Sequence, residues 1–277
     1  LYLKVRRILE SGILATPDAT REISLKKETV LNELKQFFPE EDVLRLIEQV
    51  SSRYFLNTSP EEMFSHFRMA LTLGENAYLW ELKKISDTSV TRVILCTHDK
   101  PGLFSKMVGV FTLNNMEVLS ARIFTLKNGL AFDVYEVTNP PDRFREDEKW
   151  LRTGDDLRAA LGNDLPLDEL ILEKVQSVMV PAGYGAAVKK GVKVDNETSD
   201  FFTLIEVSSG SRMGLLYDLA KEISASGLNI RSAKVSSDRE RMTGVFYVRD
   251  SDGQKIYGEE RIGVLREKLM KVQGTRP

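Results

Sequence analysis

The chain has 277 residues, 42% hydrophobic and 29% charged, with a net charge of −2. This is the balance of a globular protein with room for two or three domains; with the two signs mixed along the chain it excludes a phosphate-binding face of concentrated basic charge, so no nucleic-acid partner is expected. One cysteine rules out an intramolecular disulfide, and no apolar run approaches the ~20 residues that cross a bilayer, so a cytoplasmic location with no membrane partner is expected.

The chain opens on Leu1-Tyr2-Leu3-Lys4, without methionine and already in a helical pattern, and is expected to be a piece of a longer protein. Residues 1–75 read as helical. Leu1, Leu3, Val5, Ile8 and Leu9 form a first stripe, and Thr16 to Thr20 reads as a loop. A second amphipathic pattern runs from Arg21 to Phe38, with Ile23, Leu25, Val30, Leu31, Leu34 and Phe37 on its apolar side. Pro39-Glu40-Glu41-Asp42 starts a third helix, with Val43, Leu44, Leu46, Ile47 and Val50 apolar. Thr58-Ser59-Pro60-Glu61-Glu62 starts a fourth, with a capping hydroxyl, a proline and carboxylates in the first turn.

The period then changes. Ala77–Leu82 and Val90–Cys96 read as a hairpin with a turn at Asp87-Thr88-Ser89. A helix is predicted over Leu103–Leu113, strands over Met116–Leu126 and Leu130–Val137 around the turn Lys127-Asn128-Gly129, and a charged, solvated helix from Asp142 to Leu161. Pro181-Ala182-Gly183-Tyr184-Gly185 reads as an interdomain loop, since no strand precedes it and no full glycine fingerprint follows. Strands at Phe201–Val207, Leu228–Val235 and Met242–Val248, with helices at Gly214–Ser226 and Glu259–Val272, complete the chain. A fourth strand for this last group is missing from its end; Lys190–Val194 is one segment that fits the place.

One pattern occurs twice: strand, polar turn ending in Gly-Leu, helix, strand, strand. Gly102 and Gly214 are 112 positions apart, and Ser120-Ala121 and Ser232-Ala233 keep the same offset. The helix N-terminus behind each glycine favours an anion such as an amino-acid carboxylate. Glycine there permits a close backbone approach or a positive φ. Asp99 adds a carboxylate for an α-ammonium group, and Pro101 stiffens the turn. The competing reading is a plain strand–helix connection with no ligand. His98-Asp99 lacks the further histidines of a metal site, as His66 is the only other one. No nucleophile-elbow motif is present.

Asp99-Lys100-Pro101-Gly102-Leu103-Phe104 resembles the D-x-P-G-L turn of ACT domains, small ferredoxin-like modules that often bind amino acids. Ser211-Arg212-Met213-Gly214-Leu215 keeps only the glycine and leucine of that turn. Gly227-Leu228-Asn229-Ile230 is similar to the start of an ACT second strand, where an asparagine often faces the ligand; the first copy has Glu117 there. Ser120-Ala121-Arg122-Ile123-Phe124-Thr125, Asn128-Gly129-Leu130-Ala131-Phe132-Asp133 and Tyr54-Phe55-Leu56-Asn57 with His66-Phe67-Arg68 resemble the end of the bacterial protein-PII uridylyltransferase/uridylyl-removing enzymes. Leu1–Arg7 is similar to the last helix of their HD domain.

The resemblance implies an α+β chain: a helical segment at 1–75, an ACT domain at 76–173, a linker at 174–200 with a possible strand, and a second ACT domain at 201–277, each ACT domain βαββαβ. It implies a glutamine-sensing regulatory region acting on PII signalling proteins through a parent enzyme. The implied ligand residues are Asp99, Lys100, Pro101, Gly102, Leu103 and Phe104, with Ser211, Arg212, Gly214, Leu215 and Asn229 in the second copy. No catalytic or metal-binding residue carries over, so this chain alone is expected to be inactive and to hold no cofactor, with Mg expected for the parent. A free-standing tandem ACT sensor with a helical dimerisation segment is the alternative.

Overall fold

The computed structural model describes residues 17–140, 142–177, 188–237 and 240–274. The chain divides into two compact units. The first is Leu1–Glu81 with Ile94–Asp99 and Ile123–Val134; the second is Leu82–Val93, Lys100–Arg122 and Tyr135–Pro277. The stripe at Leu1–Leu9 and the glycines at 183 and 185 lie outside the described residues.

The described residues of the first unit form the helices α1 (Pro17–Leu34), α2 (Glu40–Gln49), α3 (Ser52–Asn57) and α4 (Pro60–Thr72). The expected loop at Thr16–Thr20 is helical from Pro17 onward, because proline is tolerated in a first turn and Asp18 suits the positive helix end. α1 stops at Leu34, short of Phe38. Phe37 and Phe38 both donate their N–H to Leu34 O, a turn that ends before Pro39. The buried side of α1 is Ala19, Ile23, Val30 and Leu34. Leu25 and Phe37, expected on that side, are exposed, as is Leu44 of α2. α3 is a helix that the sequence reading passes over. Ser59 caps α4 as expected, accepting the Glu62 N–H at 3.2 Å, with Pro60 in the first turn.

These helices bury Val30, Leu34, Val43, Phe55, Met63 and Phe67 together with strand residues Ile94, Cys96, Phe132 and Val134. Full burial of each large side chain is worth ~1.5–3 kcal/mol. Tyr54 lies at the centre, its ring 5.1–6.0 Å from those of Phe55, Phe67, Phe124 and Phe132. Its hydroxyl is 2.7 Å from Nδ1 of buried His66, which therefore serves the core.

Strands β1 (Tyr78–Lys84), β2 (Val90–His98), β3 (Val118–Thr125), β4 (Leu130–Thr138), β5 (Gly191–Asp195), β6 (Thr203–Gly210), β7 (Leu228–Ser237) and β8 (Arg241–Asp250) form one sheet of order β1-β2-β4-β3-β7-β8-β6-β5. β1 to β4 each pass through both units. The order is that of two ferredoxin-like modules joined along β3 and β7. In each, the outermost strand comes first in the chain, so the order of elements is ββαββα. The strand missing from the end of the second copy is β5, antiparallel to β6 with Val192 opposite Val207.

The second unit adds α5 (Leu103–Leu113), α6 (Glu146–Gly162), α7 (Leu167–Ser177), α8 (Leu215–Ala225) and α9 (Glu259–Val272). α5 packs on α6, α7 and α8, and α9 packs on α8 and β5. α7 is a second helix the sequence reading passes over. Gly109 lets α5 approach α8: a Cβ there would lie 2.9 Å from the Tyr217 ring and 3.2 Å from Leu167.

Candidate functional site

Each repeat turns into its first helix on a left-handed glycine. Gly102 has φ 77 and ψ 11 at the start of α5; Gly214 has φ 75 and ψ −1 at the start of α8. An L-residue with a Cβ would be strained there by ~1–2 kcal/mol, which explains the glycines. Neither helix has a side chain capping its N-terminus. The partial positive charge of the α5 end has no acidic residue in the first helical turn, whereas α8 carries Asp218 there.

Asp99 is exposed and opens the first turn. Its Oδ2 accepts the Thr125 hydroxyl at 2.9 Å, and its N–H donates to Gly129 O at 2.8 Å. These bonds aim the carboxylate and leave it further lone pairs, since an ionised carboxylate can accept about four hydrogen bonds. Pro101 is exposed and Gly102 half-buried. Around Gly102 stand two hydroxyls. A Cβ on this glycine would lie 3.3 Å from Ser105 Oγ and 3.7 Å from Ser224 Oγ, the latter from the helix of the other repeat. Ser105 itself donates to Gly102 O at 2.8 Å. Leu103 and Phe104 point inward, 4% and 7% exposed, with Phe104 stacked on Tyr135 at 6.1 Å.

The basic residue two places before each glycine does the same thing in both copies. Lys100 Nζ reaches Leu161 O at 3.3 Å, at the end of α6; Arg212 Nη2 reaches Val272 O at 2.8 Å, at the end of α9. A cation on the terminal carbonyls suits the negative end of a helix. Arg212 is held further by Asp218 at 2.8 Å, with both side chains mostly buried. In the first copy Lys106 takes the place of Asp218 and donates to Asn163 Oδ1 at 2.5 Å. Burial, then the neighbouring Lys100 ammonium, pulls the Lys106 ammonium below its ordinary value. The first turn thus carries two lysines beside its helix end and the second carries a neutralised pair.

Ser211 shares a hydrogen bond with Ser237 at 3.0 Å, Leu215 is buried, and Asn229 is exposed opposite Arg249 in the β7–β8 register. Thr125, Gly129 and Ser224 escape sequence reasoning because they reach the turn through the tertiary fold. Only the Asn128-Gly129 turn signal hints at one of them. Among the described residues no group of three or more His, Cys, Asp or Glu side chains is placed to hold a metal ion. No helix among them is long and apolar enough to cross a membrane. Cys96 is buried, and burial, then the Asp133 carboxylate, pushes its thiol up to about 12, which keeps it unreactive.

Residues 191–274 match the model of a family described as "ACR9-like, ACT-like domain". Over nearly its whole length the chain is similar to bifunctional uridylyltransferase/uridylyl-removing enzymes. One from Gluconobacter oxydans is 29% identical over 98% of this chain and 29% of that protein. One from Rhodospirillum rubrum is 28% identical over 97% of this chain and 29% of that protein. One from Azospirillum brasilense is 33% identical over 66% of this chain and 20% of that protein. The chain thus spans less than a third of the length of these relatives. A solved structure of an unknown protein from Galdieria sulphuraria aligns with a TM-score of 0.20 at 13% identity over 66% of this chain and 91% of its own, too low to bear on the fold.

Proposed function

We propose that this chain is the C-terminal regulatory region of a bifunctional enzyme that uridylylates and deuridylylates PII nitrogen-signalling proteins, and that its ACT pair senses glutamine. The observation that carries the reading is the turn itself, in which the exposed, oriented Asp99 carboxylate comes three residues before the left-handed Gly102 that opens the uncapped α5 helix. A free amino acid has an ammonium and a carboxylate a few ångströms apart, and these two features complement them. Lys100 and Lys106 add positive charge to the first copy, their ammonium groups resting on Leu161 O and Asn163 Oδ1. The second turn has Ser211 in place of the aspartate and a self-neutralised Arg212–Asp218 pair, so it is the weaker or purely structural copy.

Sensing requires that glutamine bind one arrangement of the parent more tightly than another; a coupling of ~1–3 kcal/mol changes the balance about five- to 150-fold. On this reading the chain alone is inactive, and the acid–base groups and Mg belong to other parts of the parent. Calorimetry with glutamine on the chain and on Gly102→Val and Gly214→Val, each checked for intact folding, tests the assignment. Loss confined to Gly102→Val is the expected result, and loss confined to Gly214→Val places the site in the other repeat.

A further inference from the structure

The hairpin tip between β3 and β4 touches two things at once. On one side, Thr125 Oγ1 donates to Asp99 Oδ2 at 2.9 Å and Gly129 O accepts the Asp99 N–H at 2.8 Å. On the other, Lys127 donates its N–H to Gln49 O at 3.1 Å and its Nζ to Glu48 O at 3.0 Å. Glu48 and Gln49 end α2, where a helix leaves carbonyls without partners and favours a cation. Lys127 is therefore the C-terminal cap of α2, supplied by a hairpin 79 residues away in sequence.

The tip is stiff. Gly129 N–H donates to Leu126 O, Leu126 N–H to Leu130 O at 2.7 Å, and Asn128 Oδ1 accepts the Leu130 N–H. These bonds close one turn that carries Thr125 and Gly129 on the Asp99 side and Lys127 on the α2 side.

We propose that the Thr125–Gly129 tip is a relay that carries the state of the Asp99 carboxylate to the C-terminal end of α2. The proposal rests on the reading of Asp99 as the group that receives the effector's ammonium. An ammonium on Asp99 competes with the Thr125 hydroxyl for the carboxylate and shifts the tip. Lys127 then loosens or tightens its hold on Glu48 and Gln49, and α2 changes its register of capping. Thr125 and Lys127 are positioning residues in this scheme, since neither touches the effector.

The test is amide hydrogen exchange on the full 277-residue chain, read at Lys127 and at residues 46–50. Thr125→Val and Asp99→Asn, each confirmed folded by circular dichroism, are expected to speed exchange at Lys127 and at 46–50 by about two- to tenfold, the scale of one net hydrogen bond. Unchanged exchange there in both variants overturns the relay, whatever glutamine does. In the wild type, millimolar glutamine is expected to alter exchange at the same amides. In Lys127→Met it should bind with undiminished calorimetric heat while residues 46–50 no longer respond. Glutamine heat in the wild type with no change at 46–50 also overturns the relay. If glutamine gives no heat but the two ligand-free variants still alter 46–50, the link from Asp99 to α2 stands and the effector assignment falls.

Discussion

Ala121 and Ala233 face each other in the β3–β7 pairing, and they are the same position of the two repeats. Their neighbours pair crosswise, Ser120 with Lys234 and Arg122 with Ser232. The duplicated modules therefore meet about a local two-fold at this alanine pair. Both alanines are 1% exposed, and Ser232 Oγ donates to Ala121 O at 3.1 Å. A duplication that preserved the Ser-Ala segment thereby supplied both halves of its own seam.

The seam has no room for a larger side chain. Ala121→Leu and Ala233→Leu are each expected to destabilise the chain by ~1–3 kcal/mol through overpacking, and by similar amounts because the sites are equivalent. Urea denaturation monitored by circular dichroism measures both. A loss at one site with none at the other would contradict the two-fold.

Arg212 ties the start of α8 to the end of α9 through Asp218 and Val272 O. Arg212→Met removes hydrogen bonds from a charged, mostly buried group and is expected to cost ~1.5–3 kcal/mol. Lys100→Met, which loses one longer bond to Leu161 O, should cost well under half of that. Thermal unfolding of the two variants gives the ranking, and equal losses would contradict it.

Asp195 closes the end of β5. The Lys193 ammonium, then the Thr198 N–H, hold its carboxyl well below the usual carboxylate range. A depressed folded value means that its contribution is present above the unfolded value, about 3.9, and is lost as pH falls below it. The stability gap between the native chain and Asp195→Asn is therefore expected to be constant from pH 7 to 5 and to shrink below pH ~4. A gap that widens with acid would contradict the sign.

The sequence carried the turns well and the second module's edge strand less well. Gly102, Gly214 and Asn128-Gly129 sit where the backbone needs them, since left-handed φ selects glycine locally. The leading strand of the first module is legible at Ala77–Leu82, whereas that of the second is only one segment that fits the place, because a strand as short as Gly191–Asp195 has little pattern of its own and is fixed by β6. α7 does show Leu167, Ile171 and Val175 four apart, but it follows so closely on α6 that the periodicity reads as a tail. Leu25 and Phe37 look like core residues by composition, and the face that α1 buries is set by α2, α3 and α4 instead.

The two copies also differ in a way the sequence does express. Val93-Ile94-Leu95-Cys96 is a continuous apolar run, and all four are buried. The matching stretch of β6 alternates, with Glu206 and Ser208 half-buried between buried Ile205, Val207 and Ser209. A continuous run marks a strand covered on both faces, and alternation marks one covered on a single face. Within the first unit Ile94 and Cys96 indeed join the helical core. The candidate site was legible only as a turn. Thr125, Gly129 and Ser224 reach it from 26 or more positions away, and nothing local announces them.

The central claim is that Asp99 receives the ammonium of glutamine. The direct test is isothermal calorimetry with glutamine on the wild-type chain, Asp99→Asn and Ser211→Ala. Asn keeps the shape but removes the charge and offers the Thr125 hydroxyl a weaker acceptor, so affinity is expected to fall at least about tenfold, the loss of a charge-assisted hydrogen bond of ~1.5–3 kcal/mol. Ser211→Ala should bind within about twofold of wild type. Undiminished binding by Asp99→Asn, or a loss confined to Ser211→Ala, would contradict the account.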